Sequence, residues 1–145
     1  MDAFEAVSLP EQLLSVGKKY FPVAEANRAL TLVRRIVSDI VRNYKQLCEL
    51  HAACKSLDAK GNVVKAEQAR RKYASVTDRL SELSEELEKI GCELKDYQVG
   101  LVDFPAQLRG REVCLCWKLG EDRVEYRHEI GAGCADRKPI TDELI

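Results

Sequence analysis

Val23, Ala26, Leu30, Val33, Val37, Ile40, Tyr44, Leu47, His51 and Cys54 follow one another at alternating steps of three and four. That spacing keeps every apolar side chain on one stripe of a helix and is the seam of a coiled coil, sustained over about four heptads. Phe21-Pro22 suits the start of such a helix, since proline is tolerated in a first turn. The run Asp58-Ala59-Lys60-Gly61-Asn62 breaks it. A second seam then runs through Ala66, Ala69, Tyr73, Val76, Leu80, Leu83, Leu87, Ile90 and Leu94, with Gly91 marking the helix end. Two long helices joined by so short a linker must fold back as an antiparallel hairpin. The linker end carries Lys55, Lys60, Lys65, Arg70, Arg71 and Lys72 and reads as a solvated, mildly basic tip.

From Glu93 the apolar period changes to two. Gln98–Phe104, Glu112–Lys118 and Arg123–Glu129 read as strands, with Pro105–Gly110 as one connection and Gly120-Glu121-Asp122 as a tight hairpin. A small hairpin sheet needs one covered face, and the helical hairpin is the large apolar surface at hand. The expected fold is α+β, a coiled-coil-like helical hairpin packed with a three-stranded antiparallel sheet. The expected single domain divides into an arm over 1–19, the hairpin over 20–92, the sheet over 93–130 and an irregular tail over 131–145.

Composition removes several functions. The chain has 145 residues, 46% of them hydrophobic and 32% charged, which is ordinary for one globular domain. Its net charge of −1 offers no field to gather nucleic acid or an anionic membrane. No apolar run is long enough to cross a bilayer. The start, MDAFEAVSLPEQLLSVGKKY, lacks the apolar run of a secretory signal. The expected location is therefore cytoplasmic, where the six cysteines are read as reduced thiols. There is no glycine-rich phosphate loop, no Gly-x-Ser-x-Gly, no His-Glu-x-x-His and no dinucleotide fingerprint, so no cofactor is indicated.

Strand alternation sorts the remaining polar residues. Val113, Leu115 and Trp117 share one face, and Cys114 and Cys116 the other. A two-residue turn at Gly120-Glu121 or Glu121-Asp122 puts Val124, Tyr126 and His128 with the first set. On that reading the thiols and His128 point to opposite sides, which argues against a zinc site needing convergent donors. His128 would sit beside Trp117, with Asp96 and Asp103 on or next to the first strand and Arg109, Arg111 and Arg137 flanking it. A buried His–Asp pair explains such a histidine structurally. A pocket in which His128 is acid/base or ligand and an arginine holds an anion explains it functionally. His51 falls on the helical seam and reads as a packing residue.

The segments "FPVAEANRAL", "GCELKDYQVGLVDFPAQLRGREVCLCWKLGE" and "EYRHEIGAGCADRKPI" resemble the bacterial family catalogued as domain of unknown function 2203. The resemblance covers the chain from Tyr20 to Ile140. It implies no activity; it implies that Asp96, Asp103, Phe104, Arg111, Trp117, His128 and Arg137 occupy positions of the family pattern. Two functional expectations stand together. The first is a non-catalytic interaction or scaffold module that forms a homodimer through the long apolar seams. The second is a small-molecule or anion-binding protein, or an enzyme, with a site around His128, Asp103 and Arg137; a metal-binding protein is a third.

Overall fold

The computed structural model of the protein describes residues 19–140; residues 1–18 of the expected arm over 1–19, and residues 141–145 of the expected tail, lie outside them. Helix α1 spans Val23–Ala59 and helix α2 spans Val63–Ile90. Both seams are helical as expected, save Leu94, which lies in a strand, and the linker is shorter than the breaker run suggested. Gly61 takes φ 72° in the turn. The Asn62 side chain then caps α2 by accepting from the Lys65 backbone N–H at 3.2 Å. Gly91 ends α2 in the left-handed region at φ 111°, its N–H bonded to the Leu87 and Glu88 carbonyls.

Among the described residues the sheet has five strands rather than three: β1 Glu93–Asp96, β2 Leu101–Leu108, β3 Arg111–Lys118, β4 Tyr126–Glu129 and β5 Lys138–Pro139. They pair antiparallel in chain order. Two sequence expectations failed for local reasons. The expected first strand, Gln98–Phe104, begins only at Leu101 and is preceded by an unexpected strand, β1, because Asp96 folds the chain back between them: its carboxylate Oδ1 accepts from the N–H groups of Gln98 at 2.8 Å and Val99 at 3.1 Å. Pro105 does not interrupt β2, and Arg109-Gly110 alone turns into β3, both at positive φ. The expected irregular tail also contributes structure, a 3₁₀ turn over Cys134–Asp136 followed by β5.

The core lies between the helical hairpin and one sheet face. Leu30, Val33, Val37 and Ile40 of α1 and Leu80, Leu83 and Leu87 of α2 join Val102, Phe104, Ala106 and Leu108 of β2. Val113, Leu115 and Trp117 of β3 complete it. Phe21 is tied in by its N–H to the Pro105 carbonyl at 2.7 Å. Its ring meets Phe104 edge-on at 5.2 Å. The buried positions of α1 end at Ile40, although the helix continues to Ala59. Beyond the sheet the two helices cover only each other, and His51 lies exposed against Tyr73, with ring centroids 6.3 Å apart. No helix among the described residues is long and apolar enough to cross a membrane.

Candidate functional site

The outer face of the sheet is polar yet partly closed. Asp103 stands outward in the middle of β2, in register with Glu93 of β1 and Cys116 of β3. His128 stands outward on β4, in register with Cys114. The two are therefore separated by β3, about 10 Å from backbone to backbone at ordinary strand spacing. Their side chains meet above it, His128 Nε2 lying 3.0 Å from Asp103 Oδ1. The small outward residues of β3, cysteines at 114 and 116, leave room for that reach. Among the described residues, Asp103 at 4% exposure and His128 at 5% are the buried polar or charged residues.

The second ring nitrogen fixes one proton. His128 Nδ1 lies 3.0 Å from the Glu129 carbonyl oxygen, which can only accept. Nδ1 therefore carries a proton, and Nε2 is the nitrogen that faces Asp103 Oδ1. Nε2 and a carboxylate oxygen at that distance require a proton between them or a cation beside both. The segment from Ile130 to Cys134 forms one side, or roof, of a half-open cleft of about 540 Å³ beside the pair, with Glu93, Lys95, Leu101, Pro105, Glu112 and Cys114 in its wall.

This arrangement overturns the expected strand parity. Direct partners across an antiparallel ladder share a face, so Cys114 and His128 point the same way, as do Cys116 and Tyr126. The connection from Leu119 to Glu125 is not a two-residue turn. It is drawn onto α1, where Asn27 Oδ1 accepts the Val124 N–H at 2.8 Å and Arg34 donates to the Asp122 carbonyl at 3.0 Å. The register that results differs by one residue from either tight turn, and one residue reverses every side chain of the strand. His128 consequently leaves the indole of Trp117, which faces the helices, and joins the thiols. Cys114, set aside on parity, comes to the centre: Asp103, Cys114 and His128 can each offer a donor atom within 4.8 Å of the others.

Of the other expected site residues, Arg137 lines a second cleft of about 510 Å³ together with His128, Arg127 and Lys138; the rest are dispersed. Asp96 forms the turn after β1. Trp117 is buried under the helices and donates Nε1–H to the Glu121 carbonyl at 3.0 Å. Arg111 is exposed and paired with Glu129. Arg137 lies across the Tyr126 ring at 4.0 Å and forks onto the Glu121 carboxylate, with one bond of 3.2 Å. Neither Arg111 nor Arg137 is thus an unneutralised clamp for an anion, and the wall of the first cleft contains neither. Burial pushes the Glu121 carboxyl up, but the Arg137 and Lys118 hydrogen bonds and charges outweigh it and hold it below the usual carboxylate value. The Cys116 thiol is pushed up to about 12 by burial and by Cys134, against a lowering contact with Arg137. It remains a neutral packing group at physiological pH.

Sequence reasoning set Cys114 aside and missed Glu93, Lys95 and the roof over 130–134. One signal was available for the roof. Gly131-Ala132-Gly133 directly follows β4 and lets the backbone turn back over the face that His128 occupies.

The family model described as "Uncharacterized conserved protein (DUF2203)" matches residues 19–140. No curated protein and no solved structure matches the chain.

Proposed function

The chain belongs to this uncharacterised conserved family, and we propose, on the geometry of its own residues, that the outer face of its sheet is a binding site for a small polar molecule. The observation that carries the reading is the buried His128–Asp103 pair at the wall of a cleft of about 540 Å³. Burying a carboxylate and an imidazole is costly unless each is satisfied, and apolar residues would close a sheet face at lower cost. The wall holds Glu93, Asp103 and Glu112 against Lys95, which itself pairs with Glu93 at 3.1 Å. Such a wall, rich in hydrogen-bond acceptors, favours a hydrogen-bond-donating ligand. Titrating small amines, amides and carboxylic acids against the ¹⁵N-labelled protein tests this. The expected result is joint movement of the Asp103, Cys114 and Ala132 amide signals with a donor ligand; no joint movement with any of the three classes overturns the reading.

A homodimeric scaffold is a second reading, supported by the α1 seam continuing to Cys54 past its last buried residue, Ile40. Light scattering at high concentration tests it: a dimer is expected, and a strict monomer rejects it.

A further inference from the structure

We propose that Asp103, Cys114 and His128 bind a divalent transition-metal ion of the zinc class, leaving one coordination position open to the cleft. This rests on the reading of the cleft as a binding site and names what it holds. The donors come from three adjacent strands, β2, β3 and β4, so a rigid sheet sets their positions. They lie within 4.8 Å of one another, with Nε2 and Oδ1 at 3.0 Å. Tetrahedral zinc bonds of about 2.0–2.3 Å place donors roughly 3.3–3.7 Å apart, so side-chain shifts of about an ångström complete the site.

The histidine is already oriented as a ligand. Its Nδ1–H is committed to the Glu129 carbonyl, which leaves Nε2 as the ring nitrogen that can ligate. Nε2 faces a carboxylate oxygen, a juxtaposition that a shared proton or a cation resolves. One imidazole, one thiolate and one carboxylate form a mixed donor set that suits zinc, cobalt or ferrous iron better than magnesium or calcium. The two anionic donors neutralise a dication, which offsets the cost of a buried carboxylate. Three protein donors and a vacant position make the open type of site, in which a water or a ligand's oxygen completes the shell.

The same residue types also suggest a cysteine nucleophile activated by histidine and aspartate, and the geometry rejects it. That machinery needs one imidazole nitrogen on the thiol and the other on the carboxylate. Here the nitrogen not facing Asp103 is held by the Glu129 backbone.

The experiment uses the full chain, stripped with a chelator and dialysed. Zinc uptake is measured by elemental analysis and cobalt uptake by absorption. One ion per chain is expected, with a thiolate-to-cobalt charge-transfer band and visible bands of four-coordinate cobalt. Cys114→Ser should abolish the charge-transfer band. Asp103→Asn and His128→Ala should weaken zinc by about tenfold or more, at least the loss seen when supporting residues around a metal are removed. Cys116→Ser, whose thiol faces Arg137, should change nothing. Substoichiometric uptake overturns the proposal, and so does a charge-transfer band that survives Cys114→Ser. Circular dichroism checks each variant; if a buried-pair variant does not fold, the half-buried Cys114→Ser decides. The small-molecule titration is run on the metal-free protein. Failed uptake beside intact ligand binding removes the metal alone, and the reverse result removes the small-molecule reading alone.

Discussion

The two faces of one sheet are closed in opposite ways. Toward the helices, Val102, Phe104, Ala106, Leu108, Val113, Leu115 and Trp117 are each no more than 3% exposed, and the contacts among them are apolar. Away from the helices, Asp103, Cys116 and His128 are buried too, but the cover is the chain's own segment after β4, and the bonds are directional. Apolar contact is additive and tolerant of direction, so the helix face supplies stability. Directional pairing of buried polar groups adds little net stability and fixes geometry instead. The difference separates what folds the chain from what the chain is folded to present.

Substitutions on the helix face should therefore be the most damaging. Phe104→Ala removes a fully buried ring and its edge contact with Phe21. The expected loss is about 3–5 kcal/mol, read from denaturant unfolding. A loss below about 1 kcal/mol would mean that this face is not the core. Gly100→Ala attacks the junction between the faces. Gly100 sits at φ +77°, and a methyl there would lie 2.8 Å from Val37 Cγ1 and 2.9 Å from Leu119 Cβ. Strain and overpacking together should cost about 2–4 kcal/mol, with α1 displaced from the β1–β2 turn. An unchanged melting temperature would show that the turn is not packed on α1.

The contrast also explains what the sequence discloses. The hairpin and the helix-facing strands were legible because each apolar residue there follows a period, 3.6 or 2, and burial on that face enforces it. Val113, Leu115 and Trp117 were assigned to the right face for that reason. The outer face follows no such rule. Whether His128 joins Trp117 or Cys114 depends on one residue in the connection from Leu119 to Glu125. That residue is fixed by the long-range hold of Asn27 and Arg34 on the connection, which no local pattern encodes. Asp103 and His128 were recognised as partners; Cys114 was lost with the parity. Arg137 was a reasonable anion clamp in one dimension, and only the fold shows that Glu121 occupies it.

On the outer face a single deletion should cost less and depend on chemistry. Asp103→Ala leaves the His128 Nε2 buried without its partner, an expected loss of about 1–3 kcal/mol. Asp103→Asn should recover most of it, because an amide offers its oxygen to an Nε2–H and its N–H to a bare Nε2. Equal losses for the two variants would mean that Nε2 needs the carboxylate charge and not merely a hydrogen-bond partner. The comparison of faces then sharpens into a rule: volume decides toward the helices, and hydrogen-bond polarity decides away from them.

The smallest effect is expected at the margin between the faces, where Glu121 receives Arg137 from the outer side. The groups that meet it are the Arg137 guanidinium and, from β3, the Lys118 backbone N–H at 3.0 Å and the Lys118 charge. From α1, Arg34 reaches only the Glu121 carbonyl, at 3.4 Å. Since the folded carboxyl titrates below its unfolded value, the unfolded chain binds more protons through the titration range. The stabilisation is thus present above the unfolded value of about 4.3 and is lost as pH falls through the folded one. Glu121→Gln keeps the size and most hydrogen bonds but discards the charge. It should cost about 0.5–1.5 kcal/mol at neutral pH. The gap from the parent protein should hold steady down to about pH 5 and shrink below the unfolded value. A gap independent of pH would mean that Glu121 acts by shape alone, and that Arg137 is held by Tyr126 rather than by charge.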